Sequence, residues 1–137
     1  MQASLGSRVL VVAIIVTATG SGCTPQQGNP EVGDVASVAG QFSSHAVSDA
    51  DAACALLAPD TAMELELASG SCGRGLTAAH LSDGGRVRDV QVYGLDAMVR
   101  LDNDTVFMAR FDDGWRITAA GCVPQGDGPY DCDIRGG

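Results

Sequence analysis

An α+β domain, with helices first and a curved four-stranded antiparallel sheet after them, is the fold that the 137-residue sequence predicts. Two periodicities carry this. Between Asp34 and His80 the apolar residues recur at steps of three and four, the spacing of a helix face. After Gly84-Gly85 the texture changes to an alternation of period two, the spacing of strands with one buried face. Four of the five cysteines, two among the helices and two near the C-terminus, add local staples to a core that has only six aromatic residues in the whole chain to draw on.

The first helix is expected from Asp34 to Ala46, with Val35, Val38, Ala39, Phe42 and Ala46 along one face. Ser48 or Asp49 can cap a second helix carrying Ala52, Ala53, Leu56 and Leu57, which stops near Leu57 because Pro59 lacks the amide to continue it. Asp60 or Thr61 can start a third through Met63, Leu65 and Leu67, and a last helical turn after Cys72 reaches toward His80. Three β-like runs end at Tyr93, Asp102 and Phe111, and a fourth starts at Trp115. A three-residue loop Asp112-Asp113-Gly114 puts Phe111 opposite Trp115. Phe107, Ala109 and Phe111 then share the apolar face with Trp115, Ile117 and Ala119, and an odd loop around Asp104 adds Ala97, Val99 and Leu101. The expected core centres on Phe42, Phe107, Phe111 and Trp115.

Ahead of the domain, Arg8 precedes an apolar run from Val9 to Val16 that ends in small residues, the pattern of a signal peptide over residues 1–22. The run is shorter than the roughly 18 to 20 residues that cross a bilayer. Gly20-Ser21-Gly22-Cys23 resembles a bacterial lipobox, in which small residues precede a cysteine that receives a diacylglyceryl group, with Gly20 standing where a bulky aliphatic residue is usual. That resemblance makes Cys23 the lipidation site and the first mature residue, and implies palmitate-type acyl chains and a membrane-bound, extracytoplasmic location. A Pro-, Gly-, Gln- and Asn-rich tether, 23–33 counted from that cysteine, then leads to a single domain at 34–137. Without an active lipobox the same chain would be secreted.

Loss of residues 1–22 removes Arg8, leaving seven basic against seventeen acidic residues and moving the formal charge from −9 to −10. Nucleic acid is not an expected partner of so acidic a surface. With Cys23 in the anchor, Cys54, Cys72, Cys122 and Cys132 remain, and an exported protein oxidises them. Of three connectivities, the two local pairs Cys54 with Cys72 and Cys122 with Cys132 are favoured, the first joining helical segments and the second closing a C-terminal loop. No cysteines or histidines stand at the short spacings of a zinc site, and there is no C-x-x-C redox pair.

From Asp51 onward the order D-A-A-C-A-L-L-A-P-D-T, S-C-G-R-G-L, V-Y-G-L-D-A-M-V-R-L, D-D-G-W-R-I-T-A-A-G-C and P-Y-D-C resembles small actinobacterial lipoproteins of unassigned function. The most specific part is the ending, from Gly114-Trp115-Arg116 to Pro129-Tyr130-Asp131-Cys132. Those proteins look like members of the cone-shaped fold of nuclear transport factor 2, whose helices and bent sheet enclose a cavity. The resemblance implies such a cone here, in a form lacking an obvious early hairpin, but a fold of that kind hosts enzymes and binders alike.

Candidates for chemistry are few. His45 and His80 lie near expected helix ends and Asp96 at a turn. Asp102-Asn103-Asp104 opens like a calcium loop, but its oxygen-bearing alternation stops at Val106 and no glycine follows at the sixth position. Ser43, Ser44, Ser69 and Ser71 lack a nucleophile elbow and read as helix-end and loop residues. On the sheet face away from the helices, Arg100, Arg110 and Arg116 would line up as a candidate docking face. The expectation is therefore a membrane-tethered, non-enzymatic domain, without cofactor or metal, that binds an envelope protein or a small apolar molecule. The rival is a small cone-fold lyase or isomerase acting on a hydrophobic substrate.

Overall fold

The computed structural model describes residues 29–137. The expected signal peptide, Cys23 and the first part of the tether lie outside the described residues. Among the described residues four helices precede five strands: α1 (Pro30–Ser48), α2 (Ala50–Cys54), α3 (Pro59–Ser69), α4 (Cys72–Ala78), β1 (Val87–Tyr93), β2 (Asp96–Leu101), β3 (Thr105–Phe111), β4 (Gly114–Gln125) and β5 (Gly128–Arg135). The strands form one antiparallel meander in chain order.

Each helix boundary has a local cause. The first helix starts at Pro30, not Asp34, so the last four residues assigned to the tether are its first turn. Asn29 accepts the Glu31 amide, Pro30 has no amide to leave unsatisfied, and Glu31 places negative charge at the positive end of the helix. Val35, Ala39 and Phe42 form its buried stripe. Asp49 ends α1 and caps α2 by accepting the Ala52 amide. Gly70, at φ +80°, closes α3, and Ser71 caps α4. Gly75 lies against α3 so closely that a Cβ there would stand 2.7 Å from the Leu65 carbonyl oxygen, which leaves glycine as the residue that fits. Only part of the expected apolar face of α3 is used, since Met63 and Leu67 face solvent.

Between the helices and one face of the sheet, Val35, Phe42, Leu76, Val99, Val106, Met108, Trp115 and Ile117 form a packed core. Two of its members differ from expectation. Both connections flanking β3 are even, with Arg100 opposite Thr105 and Phe111 opposite Gly114, rather than odd. β3 is thereby turned over: Val106 and Met108 are buried, Phe107 is half-buried on the other face, and Phe111 is exposed. The apolar residues of TVFMARF fall on both parities, so either face can be the inner one, and the tighter turns decide. Phe107 is not idle, packing edge to face on Tyr130 with ring centroids 5.1 Å apart. A bulge at Thr118 shifts the phase of β4, so that Trp115 and Ile117 are followed in the core by Ala120 rather than by the expected Ala119, which pairs with Phe107.

The C-terminal loop expected between Cys122 and Cys132 is a fifth strand. Cys122 and Cys132 face each other directly across the β4–β5 pair and are bonded, while Cys54–Cys72 ties α2 to α4. The favoured connectivity is the one present. β5 covers β4 only from Ala119 on, and the edge before it is covered by the α2–α3 connection. There Leu57 bridges to Ile117, the Ile117 amide donates to Leu56 at 2.9 Å and the Ala58 amide to Ile117 at 2.7 Å. Pro59 forces Ala58 into the extended conformation that makes this bridge. The Thr118 carbonyl next to it accepts from Thr61 Oγ1 and the Gly136 amide, leaving no bare edge at that point.

Candidate functional site

Two adjoining hollows lie where α1 meets the β3–β4 hairpin. A cleft of about 370 Å³ is walled by Asp34, Ser37 and Val38 of α1, by Ala55 and Leu56 of the connection, and by the hairpin residues Asp113, Gly114, Trp115 and Arg116. A second hollow of about 340 Å³ adjoins it, sharing Asp34, Gly114 and Trp115 and adding Asn29, Pro30, Glu31 and Arg110. The floor is apolar, with Val38, Leu56 and the edge of Trp115. Four of the charged groups in its walls are paired, and Asp34, which lines both hollows, makes no ion pair among the described residues. Arg116 bonds to Asp113 and to the Ala55 carbonyl, and this bond holds the Asp113 carboxyl below its usual range. Arg110 bonds to Glu31 at 2.8 Å.

The three arginines of the expected docking face do not form one. Arg100 does lie on the face away from the helices, where it bonds Asp89 on β1 at 2.7 Å. The Asp89 carboxyl is held low by Gln91 first and by Arg100 next. Arg110 points to the helix side because β3 is turned over, and Arg116 reaches sideways across the edge of β4 to the α2–α3 connection. Each arginine is used to join two elements, so the stripe is replaced by three separate ties.

The Asp102-Asn103-Asp104 turn is also structural. Asp102 accepts the Arg86 amide and bonds Arg88, in that order the causes that lower its pKa. Asp104 points elsewhere, accepting the Gly121 amide at 3.2 Å and the Cys122 amide at 3.1 Å. Burial raises its pKa in spite of those amides, and the neighbouring Asp133 adds to the rise. A small hollow of about 130 Å³ lies there, walled in part by His80, Asp104 and Asp133. Among the described residues no group of three or more histidines, cysteines and carboxylates is arranged to hold a metal.

Of the remaining candidates, His45 is in the last turn of α1, His80 is exposed at φ +51° after α4, and Asp96 is exposed at the start of β2. Ser43 is not a helix-end residue. It is buried within α1, where its Oγ accepts the Gly84 amide at 2.8 Å and fixes the chain that leads into the sheet. The cleft itself was not legible beforehand, because it depends on Leu56 leaving the helix to meet β4. The extended residue required before Pro59 was the available signal. Comparison with known proteins finds no matching family model, no matching curated protein and no matching solved structure.

Proposed function

We propose that the chain is an extracytoplasmic lipoprotein domain, anchored through Cys23 after removal of residues 1–22, that binds rather than catalyses. The cleft between α1 and the β3–β4 hairpin is its binding site, for a small apolar molecule or an apolar side chain of another envelope protein. One observation carries this reading: the floor of Val38, Leu56 and Trp115 is apolar while Arg116 and Asp113 beside it neutralise each other. The two disulfides suit an oxidising compartment, and the acidic surface does not suit nucleic acid. The likeness of the chain's ending to small actinobacterial lipoproteins supports the same location.

Native mass spectrometry of residues 24–137, expressed for export, tests the reading. A retained apolar molecule is expected, together with a change in Trp115 emission when it is removed and added back. Ser37→Arg, on the exposed rim of the cleft, should abolish both without changing the Tm. Retention by the variant equal to that of the parent rules the cleft out.

A lyase or isomerase has one residue in its favour, the raised carboxyl of Asp104. Both oxygens of that carboxyl accept backbone amides, however, which makes it a structural acceptor, and the binding reading is preferred.

A further inference from the structure

The β1–β2 and β3–β4 turns lie side by side, with the Arg110 amide donating to the Leu95 carbonyl at 2.8 Å and Asp96 opposite Ala109. Three large apolar residues project from them: Tyr93 is 61% exposed, Leu95 67% and Phe111 39%. The first turn of α1 is at the same end. Glu31 bonds Arg110, and Asn29 and Pro30 line one hollow with Gly114 and Trp115. The chain therefore enters the domain beside these apolar turns.

The proposed anchor at Cys23 makes this position matter, and the inference rests on that reading. Six residues, 24–29, separate Cys23 from α1, and six residues reach at most about 20 Å. The opposite end of the sheet stands farther off by the length of β4, up to about 40 Å for twelve residues. A bilayer that holds the acyl chains thus meets the end carrying Tyr93, Leu95 and Phe111 first. Tyrosine suits the boundary between headgroups and acyl chains, where its apolar ring and its wet hydroxyl are both satisfied, and leucine and phenylalanine suit the acyl side of that boundary. Asp96 and Asp112 are exposed at the same turns, whereas Arg110 and Arg116 are already paired, so the surface that fits is zwitterionic rather than anionic.

We propose that Tyr93, Leu95 and Phe111 form the face on which the anchored domain rests against a zwitterionic lipid surface. The test uses the full acylated chain in phosphatidylcholine vesicles with brominated acyl chains, which quench nearby indole. Leu95→Trp is compared with Val123→Trp, an exposed position at the opposite end, and with the parent that has Trp115 alone. The Leu95→Trp emission is expected to be quenched by about twofold or more and shifted to the blue, with Val123→Trp unquenched. Mixing in phosphatidylglycerol should weaken the Leu95→Trp quenching. Equal quenching at the two positions, no quenching at either, or stronger quenching with phosphatidylglycerol overturns the proposal. Intact mass separates the two levels: a mature chain without acyl chains overturns the anchor and this contact together, whereas an acylated chain with an unquenched Leu95→Trp overturns the contact alone.

Discussion

The two ends of the sheet are built differently. At the end away from the chain's entry, Ser43 takes the Gly84 amide, Asp104 takes the Gly121 and Cys122 amides, and the Cys122–Cys132 bond clamps β4 to β5. At the entry end, Tyr93, Leu95 and Phe111 project into solvent, and the polar bonds are exposed or half-exposed ion pairs such as Arg110–Glu31. Polar groups at the first end tie elements to one another. The apolar groups at the second make few such ties, which leaves them available for contact with something outside the domain.

The largest effect should come from opening the clamp. Cys122→Ser with Cys132→Ser is expected to cost about 3 kcal/mol, the chain-entropy value for a ten-residue separation, read as a lower unfolding midpoint in urea. An unchanged midpoint would mean that this end is held without the bond, and the contrast between the ends would fail.

A smaller loss is expected from Asp104→Ala, which strands two amides and should cost about 1 to 3 kcal/mol. Its pH dependence sharpens the point. The folded pKa of Asp104 is raised above the usual 3.8, so its stabilising contribution is full below that value and is lost as the pH rises through the folded pKa. The cost of Asp104→Ala should therefore be larger near about pH 3 than near about pH 7, measured by urea unfolding at both. Asp89 and Asp102, with lowered pKa values, contribute in the opposite sense, losing stability as the pH falls. A cost that grows toward neutral pH would mean that the amides, not burial, dominate at Asp104.

The smallest effect belongs to the entry end, where Leu95→Ser should change stability by no more than about 0.5 kcal/mol. A larger loss by the same unfolding measurement would show that Leu95 packs within the domain, which would remove it from any contact face.

Much of this architecture was legible in the residues. Helices first and a meander after follow from the change of period at Gly84-Gly85, and both disulfides follow from keeping each pair local. The face of β2 and that of β4 were also readable, because Ala97, Val99 and Leu101 alternate with Asp96, Met98, Arg100 and Asp102, of which Met98 alone is apolar, and Trp115 and Ile117 flank Arg116. β3 was not, since Val106 and Met108 compete with Phe107, Ala109 and Phe111 for the inner face. The fifth strand was hidden by Gly126, Gly128 and Pro129, residues that mark a turn and an irregular strand start as readily as a loop.

What the sequence determined by itself was therefore local: the helix cap at Ser48 or Asp49, the period of each segment, and the cysteines near enough in the chain to pair. What only the tertiary structure decided was which side of β3 faces the helices, where three arginines spend their charge, and that Leu56 to Ala58 close the edge of β4. The reason is physical. A cap or a period is set by residues within one or two turns, whereas a strand face follows from which of two apolar sets fills the space beside Phe42 and Leu76, and those partners are brought there only by folding.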